Sequence, residues 1–314
     1  MDPVALIKGL GQSGPPAKAL VEAGQKPPGP DPAETGDRAL FRLFRPGFPG
    51  TGRAGIAIPG QQFAQAAQAA IRAPLKRAKT SLSGRPWGES WMNHDRMAVL
   101  QAMTSQGVIP VFFHPDTEVC LKVIQACANG GAKCIEFTNR GDFAAQTFLE
   151  VARHFAKADP SVIMGVGSVV DAPTAGLFIA NGAKFVVGPI LNADVAKVCN
   201  RRKIPYSPGC GSASEISAAE ELGCEIVKVF PGSSVGGPEF VKNVLGPMPW
   251  TRIMPTGGVD TSEESLKKWF GAGIVACGIG SNLITKELLV AKDYAGIEKK
   301  VAETIALIKR IRGK

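Results

Sequence analysis

Val108-Ile-Pro-Val-Phe-Phe113, Glu118-Val-Cys-Leu-Lys-Val-Ile-Gln-Ala-Cys-Ala-Asn129 and Cys134-Ile-Glu-Phe-Thr138 read as strand, helix, strand. The outer runs are short and rich in β-branched and aromatic residues. The middle run is longer and repeats its apolar residues three and four apart. Two strands joined by a helix of that length lie parallel. The alternation continues through strand-like Ile163–Val169, Phe185–Pro189, Ile204–Pro208, Glu225–Phe230, Arg252–Thr256 and Ile274–Gly278. Helix-like Phe143–Ala156, Ala172–Asn181, Ala193–Arg202 and Ser214–Leu222 lie between them, and a long helix at about Ile297–Ile311 follows. Eight strand–helix units in strict alternation predict an α/β protein with an all-parallel sheet. Eight is also the number that closes a (β/α)8 TIM barrel, with Asp95–Thr104 placed to plug its bottom. An open doubly wound sheet is the competing architecture, but no strand end carries a dinucleotide fingerprint.

The first 91 residues differ in kind. They hold 12 of the 24 prolines, no cysteine, and 12 Lys and Arg against 6 Asp and Glu. Pairs such as Pro15-Pro16 and Pro27-Pro28 interrupt helix and sheet, and only Gln61–Arg72 has a helical composition. The reading is a mostly disordered extension over 1–91 and a barrel domain over 92–314. A start misplaced upstream of Met92, a targeting tail and a basic arm all stay open as origins of the extension. The net charge of +9 is therefore mostly a property of this segment, and no basic cluster interleaves with aromatics as a nucleic-acid surface requires. No apolar run is long enough to span a bilayer, and the N-terminus lacks a secretory signal pattern. The seven cysteines form no CxxC pair and are odd in number, which argues against disulfides and zinc and for a reduced, cytoplasmic protein.

One residue breaks the apolar logic. Lys228 sits inside Cys224-Glu-Ile-Val-Lys-Val-Phe-Pro-Gly232. Burial disfavours an ammonium, so such a lysine tends toward a free amine, which is a nucleophile for carbonyls. The alternative is a packed stem with a solvated tip. Strand alternation puts Ile226, Lys228 and Phe230 on one face, and Cys134, Glu136 and Thr138 on one face of another strand. With Ile135 and Phe137 turned to the helices, Glu136 projects into the same interior as Lys228. A structural ion pair is one reading; a site with a base beside a nucleophile is the more economical one. Pro255-Thr-Gly-Gly-Val259 and Cys277-Gly-Ile-Gly-Ser-Asn282 end the last two strands. Glycines there let backbone N–H groups converge on an anion, the customary phosphate position of this fold.

Residues from about Met92 to Lys314 resemble the 2-keto-3-deoxy-6-phosphogluconate / 4-hydroxy-2-oxoglutarate aldolase family. The resemblance rests on Gly130-Gly-Ala-Lys-Cys-Ile-Glu-Phe-Thr-Asn-Arg140, Gly165-Val-Gly-Ser-Val169, Ile226-Val-Lys-Val-Phe-Pro231, Pro255-Thr-Gly-Gly258 and Gly278-Ile-Gly-Ser281, in that order. It implies a class I aldolase that needs neither metal nor other cofactor, acts on a small 2-oxo acid, and assembles as a homotrimer. By the resemblance Lys228 is the Schiff-base lysine, Glu136 the general acid and base, and Arg140 the clamp on the pyruvate carboxylate. Ser168 and Thr256 contact substrate oxygens, Pro189 lines the pocket, and Gly257, Gly258, Gly280 and Ser281 hold the phosphate. Two departures stand out: Ser168 where the family commonly has Thr, and His114 near the end of the first strand where Lys or Arg is common. His114 is left between a substrate contact and a turn role. Two other functions compete: a phosphate-binding barrel isomerase or synthase that uses Glu136 as its base, and a non-enzymatic binding or scaffold protein.

Overall fold

In the computed structural model, which describes residues 94–313, every paired strand runs parallel to its neighbour. The expectations for 1–91, including the helix at Gln61–Arg72, lie outside the described residues. The strands are β1 (Val108–Phe112), β2 (Cys134–Thr138), β3 (Ile163–Gly167), β4 (Val186–Val187), β5 (Tyr206–Ser207), β6 (Gly209–Cys210), β7 (Val227–Val229), β8 (Ile253–Pro255) and β9 (Cys277–Ile279). Six of them pair in the order β5-β4-β3-β2-β1-β9, and β6-β7-β8 form a second ribbon. A parallel bridge between Thr256 and Gly278, with Val275 N–H donating to the Ile253 carbonyl at 3.0 Å, connects β8 to the β9 side. The result is a curled parallel sheet with helices around its outer side.

The helices are α1 (Arg96–Gln106), α2 (Thr117–Asn129), α3 (Ala144–Ala158), α4 (Ala172–Ala180), α5 (Ala193–Arg202), α6 (Ala213–Glu221), α7 (Gly237–Leu245), α8 (Glu263–Gly271), α9 (Lys286–Val290) and α10 (Tyr294–Ile311). Side chains cap the starts of most of them. Asp95, Asp116, Asp171, Asn192, Ser212 and Ser262 accept from backbone N–H groups two or three residues on, each a contribution of about 1 kcal/mol. Helices α7, α8 and α9 follow β7, β8 and β9, where the strand–helix alternation requires them.

Two apolar layers separate along the strands as the alternation requires. Ile135 and Phe137 pack outward with Phe148, Val151 and Phe178 of the helix layer. Cys134, Ile163, Phe185, Ile226 and Met254 form an inner cluster with Val99, Leu100 and Met103 of α1. The plug expected at Asp95–Thr104 is therefore α1, packed under the concave face. Gln106 fastens it there: its side-chain amide donates to the Val108 and Cys134 carbonyls and accepts from Lys133 and Cys134 N–H. All seven cysteines are buried and unpaired, and burial pushes thiols such as Cys127 and Cys134 up to about 12.

The run read as the fifth strand, Ile204–Pro208, holds β5 and is continued past Pro208 by β6. β5 pairs with β4 on one edge and β6 pairs with β7 on the other, and Pro208 between them has no N–H to give a ladder. Its carbonyl still accepts, and the N–H it takes, at 2.9 Å, is that of Lys228.

Candidate active site

Lys228 occupies the middle of β7, in register with Gly209 on one side and Met254 on the other. Its side chain is 5% exposed, so the tip does not reach solvent in the way a snorkelling lysine would. Burial pulls its amine below the ordinary lysine range; Arg140 adds to the depression and Glu136 opposes it. The Nζ lies 4.6 Å from the centroid of the Phe230 ring, two residues on along the same face. Such a ring face favours the cation and holds the amine in one place.

Glu136 is 1% exposed on β2. Burial raises its carboxyl pKa, with Lys228 and then Arg140 pulling it back. The two residues therefore titrate under one another's field, which makes them a coupled acid–amine pair. The Glu136 Oε2 is buried with no hydrogen-bond partner among the described residues. A buried carboxyl oxygen in that condition is costly to the fold unless something outside the chain satisfies it. It is placed to take or give a proton to a bound oxygen.

What makes room for that carboxyl is a residue the sequence reading quoted without a role. A Cβ built on Gly167 would lie 1.8 Å from Glu136 Oε1. The neighbouring Gly165 makes room in the same way for the Phe185 ring, at 2.2 Å. Two glycines at alternate positions of a strand are a signal of close approach on one face. Gly167→Ala is expected to displace the Glu136 carboxyl by about an ångström and lower kcat by about 100-fold. Steady-state cleavage beside a circular-dichroism spectrum checks this; wild-type kcat would show that the carboxyl position is immaterial.

Ser168 follows directly and adopts φ 59°, in the left-handed region. A non-glycine residue there carries backbone strain, of a kind that clusters at functional sites. The turn brings its Oγ to accept from Arg140 Nε at 3.4 Å. Arg140 is exposed in the loop after β2, and among the described residues no carboxylate pairs with it at salt-bridge distance. Its guanidinium fork is thus set at the same end of the sheet as the two buried groups and is open to an incoming carboxylate.

The glycine-rich strand ends are close neighbours. Thr256 bridges Gly278, and its Oγ1 is buried without a partner among the described residues; a Cβ on Gly278 would stand 2.5 Å from it. Gly257 and Gly258 have φ of 88° and 80°. Their carbonyls are held, by Ser233 N–H at 3.1 Å and by the Trp269 indole N–H at 3.2 Å. The Gly258 and Ser281 N–H groups donate to no acceptor in the backbone or side-chain hydrogen bonds among the described residues. Free N–H groups in a left-handed turn make an anion cradle. Gly280 closes the adjoining turn by accepting from Leu283 and Ile284. Pro189 is half-buried, and its carbonyl packs so closely on Gly209 that a Cβ there would meet it at 2.1 Å.

His114 makes local contacts. Its Nδ1 accepts from Asp116 N–H at 3.1 Å and its carbonyl accepts from the Cys120 thiol at 3.2 Å, so it shapes the turn into α2. Among the described residues no three His, Cys, Asp or Glu side chains gather as a metal site, and no helix is long and apolar enough to cross a membrane.

Comparison with known proteins agrees with this arrangement. The family profile described as KDPG and KHG aldolase matches residues 99–300. The 2-dehydro-3-deoxy-phosphogluconate aldolase of Haemophilus influenzae is 30% identical over 219 residues, 69% of this chain and 100% of its own. The crystal structure of the 2-keto-3-deoxy-6-phosphogluconate aldolase of Zymomonas mobilis with 3-phosphoglycerate superposes with a TM-score of 0.59 at 26% identity, covering 67% of this chain and 95% of that one. The KDPG aldolase of Legionella pneumophila, with pyruvate captured as a covalent carbinolamine, gives a TM-score of 0.60 at 23% identity, a likeness of fold, over 67% of this chain and 98% of that one. The chain is an aldolase, a lyase, and belongs to the KDPG and KHG aldolase family.

Proposed function

We propose that this aldolase cleaves a 4-hydroxy-2-oxo acid to pyruvate and an aldehyde through an imine on Lys228, and that its sheet closes as a (β/α)8 barrel over 92–314. The observation that carries the mechanism is the buried Lys228 amine coupled to a buried Glu136 carboxyl. Closure is supported by the Thr256–Gly278 bridge and by the continuity of β5 with β6 through Pro208. The 2-oxo acid enters with its carboxylate on the Arg140 guanidinium. The free amine of Lys228 attacks C2; a proton delivered from Glu136 to the departing C2 oxygen releases water and leaves the iminium. The iminium draws electrons from the C3–C4 bond as Glu136 takes the C4 hydroxyl proton. The aldehyde departs and an enamine of pyruvate remains. Protonation at C3 and addition of water return the lysine. One buried carboxyl serves each transfer by alternating its protonation state.

Ser168 and Thr256 bind substrate oxygens in this reading, and Pro189 lines the pocket. The Gly257, Gly258, Gly280 and Ser281 cradle takes a terminal phosphate, which favours 2-keto-3-deoxy-6-phosphogluconate, giving glyceraldehyde 3-phosphate, over 4-hydroxy-2-oxoglutarate, giving glyoxylate. The 3-phosphoglycerate in the Zymomonas mobilis structure supports a phosphorylated ligand. Pyruvate release from the two substrates is the test: a kcat/KM at least tenfold higher for the phosphorylated one is expected, and preference for 4-hydroxy-2-oxoglutarate would overturn the phosphate assignment. A homotrimer working in the cytoplasm completes the reading.

The amine also sets a pH signature. Imine formation requires neutral Lys228, whose pKa in the folded protein lies below the ordinary 10.5. The initial rate of borohydride-trapped pyruvate adduct is expected to rise with pH and level off below 10.5. A rate still climbing through that value would mean an ordinary lysine.

A further inference from the structure

The loop that follows the Lys228 strand is stitched to the glycine-rich end of β8. Gly232 N–H donates to the Thr256 carbonyl at 2.9 Å, and Ser233 N–H donates to the Gly257 carbonyl at 3.1 Å. The approach is close: a Cβ on Gly232 would stand 2.5 Å from the Gly257 carbonyl oxygen. A Cβ on Gly258 would stand 2.3 Å from the Ser233 Cβ and 2.6 Å from its Oγ. Ser233 therefore lies directly against the left-handed turn of Gly257 and Gly258.

The backbone of Ser233 is fully used, since its carbonyl also accepts from Gly236 N–H at 3.3 Å. Its hydroxyl is left over. Ser233 is exposed, and among the described residues its Oγ makes no hydrogen bond. The imine chemistry does not call on it. The turn it adjoins belongs to a cradle that offers the Gly258 and Ser281 N–H groups. Two such donors can serve the two oxygens of a carboxylate, whereas a phosphate group presents three strong acceptor oxygens. We propose that the Ser233 hydroxyl is a further ligand of the terminal phosphate. It donates to the oxygen that the two N–H groups leave over, and so selects a phosphate-ended substrate over the carboxylate-ended 4-hydroxy-2-oxoglutarate. A serine hydroxyl turns its hydrogen to suit the acceptor, and a bond to a charged oxygen is about twice as strong as a neutral one. This role rests on the phosphate reading of the cradle.

The test compares the full-length wild type with Ser233→Ala and Ser233→Asp, by pyruvate release from 2-keto-3-deoxy-6-phosphogluconate and from 4-hydroxy-2-oxoglutarate. Ser233→Ala is expected to lower the ratio of the two kcat/KM values about tenfold, the worth of one hydrogen bond to a charged group. The change is expected in the KM for the phosphorylated substrate, because the bond is made equally in ground and transition states. Ser233→Asp sets a like charge beside the phosphate and is expected to lower the ratio by about 100-fold. An unchanged ratio in Ser233→Ala, beside a wild type that prefers the phosphorylated substrate, would overturn the assignment of Ser233 and leave the cradle standing. An equal loss on both substrates would make Ser233 a brace of the loop, and would overturn it as well. A wild type without that preference would overturn the phosphate reading itself, and the role of Ser233 with it.

Discussion

Lys228→Met is expected to abolish aldol cleavage, by 10⁴-fold or more on the order-of-magnitude scale of lost nucleophiles, while the protein stays folded. The methionine has nearly the shape of the lysine stem and brings no charge into the space where Lys228 is 5% exposed. Stability separates this from simple unfolding. Because burial depresses the lysine pKa, the folded state of the wild type resists protonation more than the unfolded state does. That penalty is full below the folded pKa and vanishes as pH rises past the ordinary 10.5. The variant is therefore expected to equal or exceed wild-type stability at neutral pH, with the gap closing at alkaline pH. Denaturant unfolding at several pH values checks it; a less stable variant at neutral pH would mean that Lys228 holds the fold together as a structural ion pair.

Glu136→Gln is expected to lower kcat by about 10²- to 10⁴-fold, the usual worth of a positioned acid–base group. Glutamine keeps the shape and the hydrogen-bonding ends but cannot cycle a proton. Here the linkage has the opposite sign. The carboxyl pKa is raised by burial, so its penalty is absent below the ordinary 4.5 and is reached as pH rises through the folded value. The stability of Glu136→Gln relative to wild type is expected to grow as pH rises from 4.5 through the folded value and then to level off. An isomerase using Glu136 as its base would show a similar kcat loss with this variant, but it would tolerate Lys228→Met. Tolerance of both substitutions would suit a non-catalytic scaffold.

Much of this was legible from residue order. The separation of Ile135 and Phe137 from Cys134 and Glu136 follows from a period of two and holds in the packing of β2. The plug, the parallel order and the inward face shared by Ile226 and Lys228 follow from the same pattern. The losses have physical causes. Pro208 looked like the end of a strand, whereas the chain continues past it to pair with β7, and its carbonyl accepts from Lys228 N–H. Gly167 and Gly278 act through the side chains they lack, and what fills that space is visible only once neighbouring strands are in register. The left-handed turn at Ser168 is a tertiary constraint on a residue with no intrinsic preference for it. His114, ambiguous in the sequence, makes two contacts within its own turn. Phe230 was placed on the correct face, but its contact with the amine needs coordinates.

The most direct test of the imine is chemical. Protein incubated with pyruvate and reduced with borohydride, then digested and sequenced by mass spectrometry, is expected to carry a 1-carboxyethyl group on Lys228 in the peptide containing Val227 and Val229. Lys228→Met protein treated identically is expected to carry none. An active wild-type enzyme with unmodified Lys228, or with the adduct on another lysine, would contradict the account.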